Sequence, residues 1–277
     1  MKTLKTIAWF LGWMILAAAV CALASMTLFR NSGDALFTAG PVEIHAAGIG
    51  AGLGFLTMVL TGNLYCRDRK KRNREKNSPG LMLQGAGFGL LPAAAVWNAF
   101  LHWDRMGQGT EIIPPMPALP WLTENGTYCP ARIDLCAAVI CFLIICAWLI
   151  LRKRDLGRGG DLLMVSGTVW AAVRIATESF HGDIRLMPWG QPVLRYAGCA
   201  VILICLAVWT GRREKKNKTA VQPVLDWIAV LIGTAAIVIT SAGILSTGSA
   251  IGDFAVIAGA AALNMTVTLS AGSDSRG

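Results

Sequence analysis

The chain is 277 residues long, 55% hydrophobic and only 15% charged, with a net charge of +9 and a mean hydropathy of +0.55. A soluble domain carries about 25% charged residues, and this composition also excludes disordered, collagenous, coiled-coil and disulfide-stapled secreted chains. A polytopic membrane protein fits: a hydrocarbon core of roughly 30 Å needs about 20 consecutive apolar residues as helix, and the apolar residues arrive in blocks near that length.

Eight spans are predicted, at about 6–29, 46–65, 81–103, 133–151, 160–179, 191–210, 223–245 and 250–271, giving an all-α transmembrane helical bundle. The first follows Lys2 and Lys5 and contains Ala22-Leu23-Ala24, like a secretory signal with a small-residue cleavage site. Its run exceeds a signal core, so an uncleaved helix is expected. The second begins with Gly48, Gly50, Gly52 and Gly54, an even spacing that permits close helix approach. The third contains Pro92, tolerated in a membrane helix where neighbours satisfy the freed carbonyl. The segment 105–130 is proline-rich and reads as a lid or a connector. The eighth span is the weakest, being short, rich in small residues and interrupted by Asn264 and several threonines.

Lys and Arg concentrate in cytoplasmic loops. The loop 66–79 carries Arg67, Arg69, Lys70, Lys71, Arg72, Arg74 and Lys76; 152–158 carries Arg152, Lys153, Arg154 and Arg158; 211–218 carries Arg212, Arg213, Lys215, Lys216 and Lys218. With Lys2, Lys5 and Arg276 these are 19 of 25 basic residues, and all fall on one side if eight helices alternate with both termini cytoplasmic. The positive charge then follows from topology. No nucleic-acid partner is expected, because only Tyr65 accompanies the basic residues where single strands need aromatic platforms; anionic inner-leaflet lipid suffices. The eight cysteines lie mostly within spans, without zinc spacing or nearby histidines, so neither a metal nor another cofactor is expected. His45, His102 and His181 all fall near the predicted outer face.

Ionisable residues within a span are costly and usually functional. In the fifth span Ser166, Trp170, Arg174 and Glu178 recur every four residues along one helix face. Arg174 and Glu178 lie in its last turns, and His181 follows. A guanidinium held by Glu178 suits a phosphate, since it presents five donors in a fixed fork; the same pair also reads as a packing ion pair or a snorkelling Arg. At the end of the third span, Asn98 and His102 are again four apart. They read as an interfacial belt with Trp97 and Trp103, or as lining of the cavity that holds Arg174.

The order of several segments resembles the prolipoprotein diacylglyceryltransferase family of bacterial inner-membrane enzymes. Gly40-Pro41-Val42-Glu43-Ile44-His45-Ala46-Ala47-Gly48 is similar to the family's Gly-Pro-x-x-x-His-x-Tyr-Gly lead-in to a helix. Cys129-Pro130-Ala131-Arg132-Ile133 stands where the family has His-Pro-Ser-Gln-Leu. Gly159-Gly160-Asp161-Leu162-Leu163, Trp170 and Ala171 to Glu178 resemble its Gly-x-x-x-Gly-Leu-Phe start and Tyr-Gly-x-x-Arg-x-x-x-Glu stretch. Met187-Pro188-Trp189-Gly190-Gln191 resembles its Ser-Met-Gly-Gln segment. Of the family's Arg-x-Gly-Asn helix only Asn98 remains, and its His-Gly-Gly helix has no counterpart.

The resemblance implies a family-like membrane domain at 38–211, an additional amino-terminal helix at 1–30 and two additional helices within 212–277. It implies transfer of a diacylglyceryl group from phosphatidylglycerol, or another anionic phospholipid, to the cysteine of a lipoprotein precursor at the outer face of the plasma membrane. Arg174, Glu178 and His102 are then the catalytic candidates, with His45 and His181 as other possible bases. Asn98, His45, Trp170, Arg132 and Gln191 are the substrate-binding candidates. The alternative is a lipid- or partner-binding membrane protein derived from that family and without chemistry.

Overall fold

The computed structural model describes residues 2–27, 35–40, 42–73, 79–103, 109, 111–112, 119–152, 161–181, 193–214 and 221–274. Among them are eight α-helices: α1 (Lys2–Thr27), α2 (Ala46–Asn73), α3 (Pro79–Trp103), α4 (Pro130–Arg152), α5 (Asp161–Thr177), α6 (Val193–Glu214), α7 (Val221–Ser241) and α8 (Ala250–Asp274). Two short hairpins join them, β1 (Phe37–Ala39) with β2 (Val42–Ile44) and β3 (Thr123–Glu124) with β4 (Thr127–Tyr128). Six helices, α2, α3, α4, α6, α7 and α8, are long and apolar enough to cross a membrane. The chain is therefore a multi-pass, all-α membrane protein.

Two segments depart from the sequence expectation. The basic stretch predicted as a loop from residue 66 is helical as far as Asn73. Lys and Arg are good helix formers, and positive charge at a helix C-terminus opposes the macrodipole. Arg69 also folds back one turn, donating from Nε to the Tyr65 hydroxyl at 3.2 Å with its guanidinium over the ring. Second, α5 has only 17 residues and falls short of a full span. Nine of those residues are buried, so its surroundings are largely protein and it need not present an apolar surface to lipid.

The chain separates into two compact units. The first comprises residues 1–107 and 131–152. Its helices approach through the glycines of α2, which form two interleaved faces. On one, a Cβ at Gly52 would stand 2.8 Å from the Ala17 carbonyl of α1, and Gly48 is packed against Ser25. On the other, a Cβ at Gly54 would stand 2.9 Å from Ala93 O, and one at Gly62 would stand 2.7 Å from Gly85 O of α3. Spacing of four or eight within each face, with the two faces offset by two, lets one helix accept a neighbour on either side. α4 joins through Phe142, edge-on to Phe88, which itself stacks on Tyr65.

The second unit comprises residues 108–130 and 153–277. α5, α6, α7 and α8 surround a core that includes Ala172, Ile175, Ile202, Leu206, Ile237 and Ile257. Polar contacts pin the helices together. Asn264 of α8 donates to the Thr234 hydroxyl of α7 at 3.2 Å, in a space that only Gly233 leaves open. α8 is well started despite its weak apolar signal. The Ser249 hydroxyl accepts the Gly252 N–H at 3.0 Å as an N-cap, and Asp253 accepts from the Thr247 N–H at 2.7 Å. The hairpin β3–β4 turns on Asn125 and Gly126, both with positive φ (51° and 80°), as a two-residue type I′ loop requires. It is widened by pairing of Glu111 with Thr127, while Gly109 pairs with His181.

Packing of α2 on α3 leaves no room for a side chain at Gly62. Gly62→Val is expected to lower stability by roughly 1–3 kcal/mol through overpacking. Gly259→Ala, where a Cβ would meet nothing within 4 Å, should be neutral or raise stability by up to about 1 kcal/mol. The midpoint of SDS-induced unfolding of the purified protein measures both.

Candidate functional site

α5 ends in a 3₁₀ turn, Glu178–Phe180, that carries the chain on to His181. Arg174 lies one turn before Glu178, so its side chain and the carboxylate share a face. Arg174 Nη2 donates to Glu178 Oε2 at 2.9 Å. Nη1 donates to the Thr177 hydroxyl at 3.4 Å and lies 3.1 Å from His181 Nε2. A guanidinium can only donate, so His181 Nε2 accepts in that contact and the ring proton sits on Nδ1. The Arg174 side chain is 13% exposed and that of Glu178 4%. Three of the residues singled out from the sequence, Arg174, Glu178 and His181, therefore meet in one cluster.

A second guanidinium belongs to the same region. Arg195, in the first turn of α6, is 7% exposed. Nε donates to Ile175 O at 3.3 Å, Nη1 to the Ser241 hydroxyl at 2.9 Å and Nη2 to the Ser179 hydroxyl at 2.9 Å. It thereby ties the end of α5, the 3₁₀ turn and the end of α7 to α6. Glu178 is its electrostatic partner as well. Arg174 and Arg195 thus share the Glu178 carboxylate. Arg195 was not among the residues singled out from the sequence. The available signal was an ionisable residue in the first turn of α6, ahead of a long apolar run.

The opposite end of α5 is fixed by another ion pair, Asp161 with Arg212 of α6 at 2.6 Å. Between the two ends, Ser166 is buried with no hydrogen-bond partner for its hydroxyl among the described residues, and Trp170 is half-buried.

The other predicted residues belong elsewhere. His45, Asn98, His102 and Arg132 are in the first unit. His45 is 1% exposed, and neither ring nitrogen has a hydrogen-bond partner among the described residues. Its backbone N–H reaches the Ser25 hydroxyl at 3.4 Å. Asn98 is buried and donates from Nδ2 to Ala94 O of its own helix at 2.9 Å. Arg132 is half-buried in the first turn of α4. His102 lies in the last turn of α3, with its side chain outside the described structure, and Gln191 lies outside the described residues. Among the described residues no group of His, Cys, Asp and Glu is placed to hold a metal ion.

Set against known proteins, the chain matches no family model, no curated protein and no solved structure.

Three hydrogen bonds in different directions make Arg195 hard to replace. Arg195→Met is expected to destabilise the protein by about 3–5 kcal/mol, because Glu178 loses a buried counter-charge and three acceptors lose their donor. Arg195→Lys should recover little, since an ammonium cannot reproduce the planar fork. Thermal unfolding in detergent, followed by tryptophan fluorescence, measures the loss.

Proposed function

We propose that the chain is a divergent phosphatidylglycerol–prolipoprotein diacylglyceryltransferase with about eight spans and its charged cluster at the outer face of the bacterial plasma membrane. The observation that carries this reading is the Arg174 guanidinium, held by Glu178 and accompanied by Arg195. Two guanidiniums brought to one carboxylate present donors in fixed planar forks, the geometry that suits a phosphate. The order of motifs in the sequence supplies the reaction.

In that reaction the thiolate of a lipoprotein precursor attacks a glycerol carbon of the phospholipid. A carbon–sulfur bond forms, the carbon–oxygen bond breaks, and the electron pair leaves with glycerol phosphate. Arg174 would stabilise the departing phosphate, because preorganised cationic donors act most where charge develops. Glu178 would hold the guanidinium in place. A base must take the thiol proton. His181 is the histidine adjacent to Arg174, while His102 and His45 remain the other candidates.

The second reading is binding of an anionic lipid, or of a partner protein, without chemistry. It is favoured by the contact between His181 Nε2 and Arg174 Nη1, which occupies the imidazole lone pair that a base needs.

Expression in cells depleted of their own diacylglyceryltransferase tests the choice, with lipid labelling of a lipoprotein precursor as the readout. Labelling is expected, and Arg174→Ala should lower its rate by at least about 100-fold with membrane insertion intact. No labelling by the folded parent protein overturns the transferase reading. Labelling that survives Arg174→Ala overturns the role of that residue.

A further inference from the structure

Polar atoms are left unpaired in the core of the second unit. α8 packs against α5, α6 and α7, and its residues Asn264, Thr268 and Gly272 recur every four positions along one face. Asn264 and Thr268 are fully buried. Asn264 Nδ2 donates to Thr234, while Oδ1 has no hydrogen-bond partner among the described residues. Whichever way the amide is turned, one of its polar atoms is left over. The Thr268 hydroxyl also has no partner among the described residues. Other threonines of these helices behave differently. Thr57, Thr61, Thr210 and Thr266 each donate to the carbonyl four residues back, the usual outlet for a helical hydroxyl. Thr268 is turned off that ladder.

The third group comes from α6. Trp209 is fully buried, and its Nε1–H has no acceptor among the described residues. A buried indole N–H ordinarily finds one. The indole occupies the place of a Gly272 side chain: a Cβ there would stand 2.7 Å from Cε2, the ring carbon bonded to Nε1. Cβ positions four apart on a helix are about 6 Å from each other. The indole N–H and the Thr268 hydroxyl therefore lie within about one helical turn of each other, where α6 meets α8.

The chemistry of these groups selects the occupant. Trp209 Nε1 only donates, an amide oxygen only accepts, and a hydroxyl does both. Water answers all three, and buried waters in proteins typically make about three such bonds. An ion would exchange its hydration shell for neutral dipoles alone, at high cost. A lipid chain has no acceptor to offer the indole. Complete burial of all three side chains restricts the occupant to a very small molecule.

We propose that the second unit carries an internal water site where α6 meets α8, the water accepting from Trp209 Nε1–H and hydrogen-bonding the Thr268 hydroxyl. The site is independent of the phosphate reading above. It gives α8, the weakest of the predicted spans, a polar attachment to α6 as well as to α7.

Hydroxyl-radical footprinting by pulsed X-rays tests it, with the full chain in phosphatidylcholine nanodiscs, because a bound water generates the radical in place and marks residues that bulk solvent does not reach. Trp209 should be oxidised in the parent protein, while Ile202 and Leu206, equally buried on the same helix, stay at background. Thr268→Val should lower Trp209 oxidation several-fold, and Thr268→Ser, which keeps the hydroxyl, should retain it. The thermal midpoint of Thr268→Val should fall, whereas loss of a hydroxyl with no partner would leave it unchanged or raise it. Background oxidation of Trp209 in the parent protein overturns the proposal, and that reading needs no variant to fold. Equal oxidation of Trp209 in the parent, Thr268→Val and Thr268→Ser overturns it too, as does an equal loss in both variants, which would trace the effect to the methyl group.

Discussion

A guanidinium inside an apolar helix bundle persists only with a counter-charge and acceptors around it, and Glu178 serves two of them. It accepts directly from Arg174 and acts electrostatically on Arg195. Arg195 spends its donors on three elements, so the position of the Glu178 turn relative to α6 and α7 is set by the same group that Glu178 neutralises. Arg174 is held by residues of its own helix and the turn beyond it. The two arginines therefore have different characters. One is a structural tie, and the other is a charge held by local contacts at the end of a short helix.

The two units solve the packing problem by different means. In hydrocarbon there is no hydrophobic drive between helices, so association depends on close contact and on polar links. The first unit relies on backbone approach, with glycines on two faces of α2 admitting α1 and α3. The second relies on polar groups: Asn264 with Thr234, Asp161 with Arg212, and Arg195 with Ser241. The difference bears on function. Close-packed glycine faces leave little room to move, whereas a bundle joined by side-chain bonds has groups that a ligand can compete for.

Much of this was legible in the sequence, for particular reasons. The apolar blocks gave the helices because bilayer thickness fixes their length, and the four-residue spacing of Arg174 and Glu178 gave their contact because a helix turn is a local rule. The interleaved glycines announced close packing, although not which neighbour meets which face. Arg195 escaped because its partners lie 16 to 46 residues away in the chain, and no local pattern encodes such distances. The β3–β4 hairpin was missed despite a strong signal: Asn125-Gly126 between short polar and β-forming residues is the commonest two-residue hairpin turn. Its proline-rich surroundings drew attention to flexibility instead. The basic segment after residue 66 was assigned to a loop on charge alone, although Lys and Arg extend helices readily.

Catalysis and simple binding differ here in the fate of one lone pair. Arginine stays protonated throughout the accessible pH range, so while Nη1 of Arg174 faces Nε2 of His181 the imidazole accepts that bond and no other proton. A phosphate oxygen is a stronger acceptor for a guanidinium than a neutral ring nitrogen, because the bond is charge-assisted on both sides. An oxygen taking the Nη1 position would free Nε2 in the same event that seats the ligand. Under the transferase reading, a base would then become available only when its substrate is bound. Under the binding reading, the same displacement ends with a freed imidazole beside a seated lipid, and no thiol arrives to use it. The distinction therefore lies in whether a second substrate can reach the imidazole once the first has displaced it from the arginine.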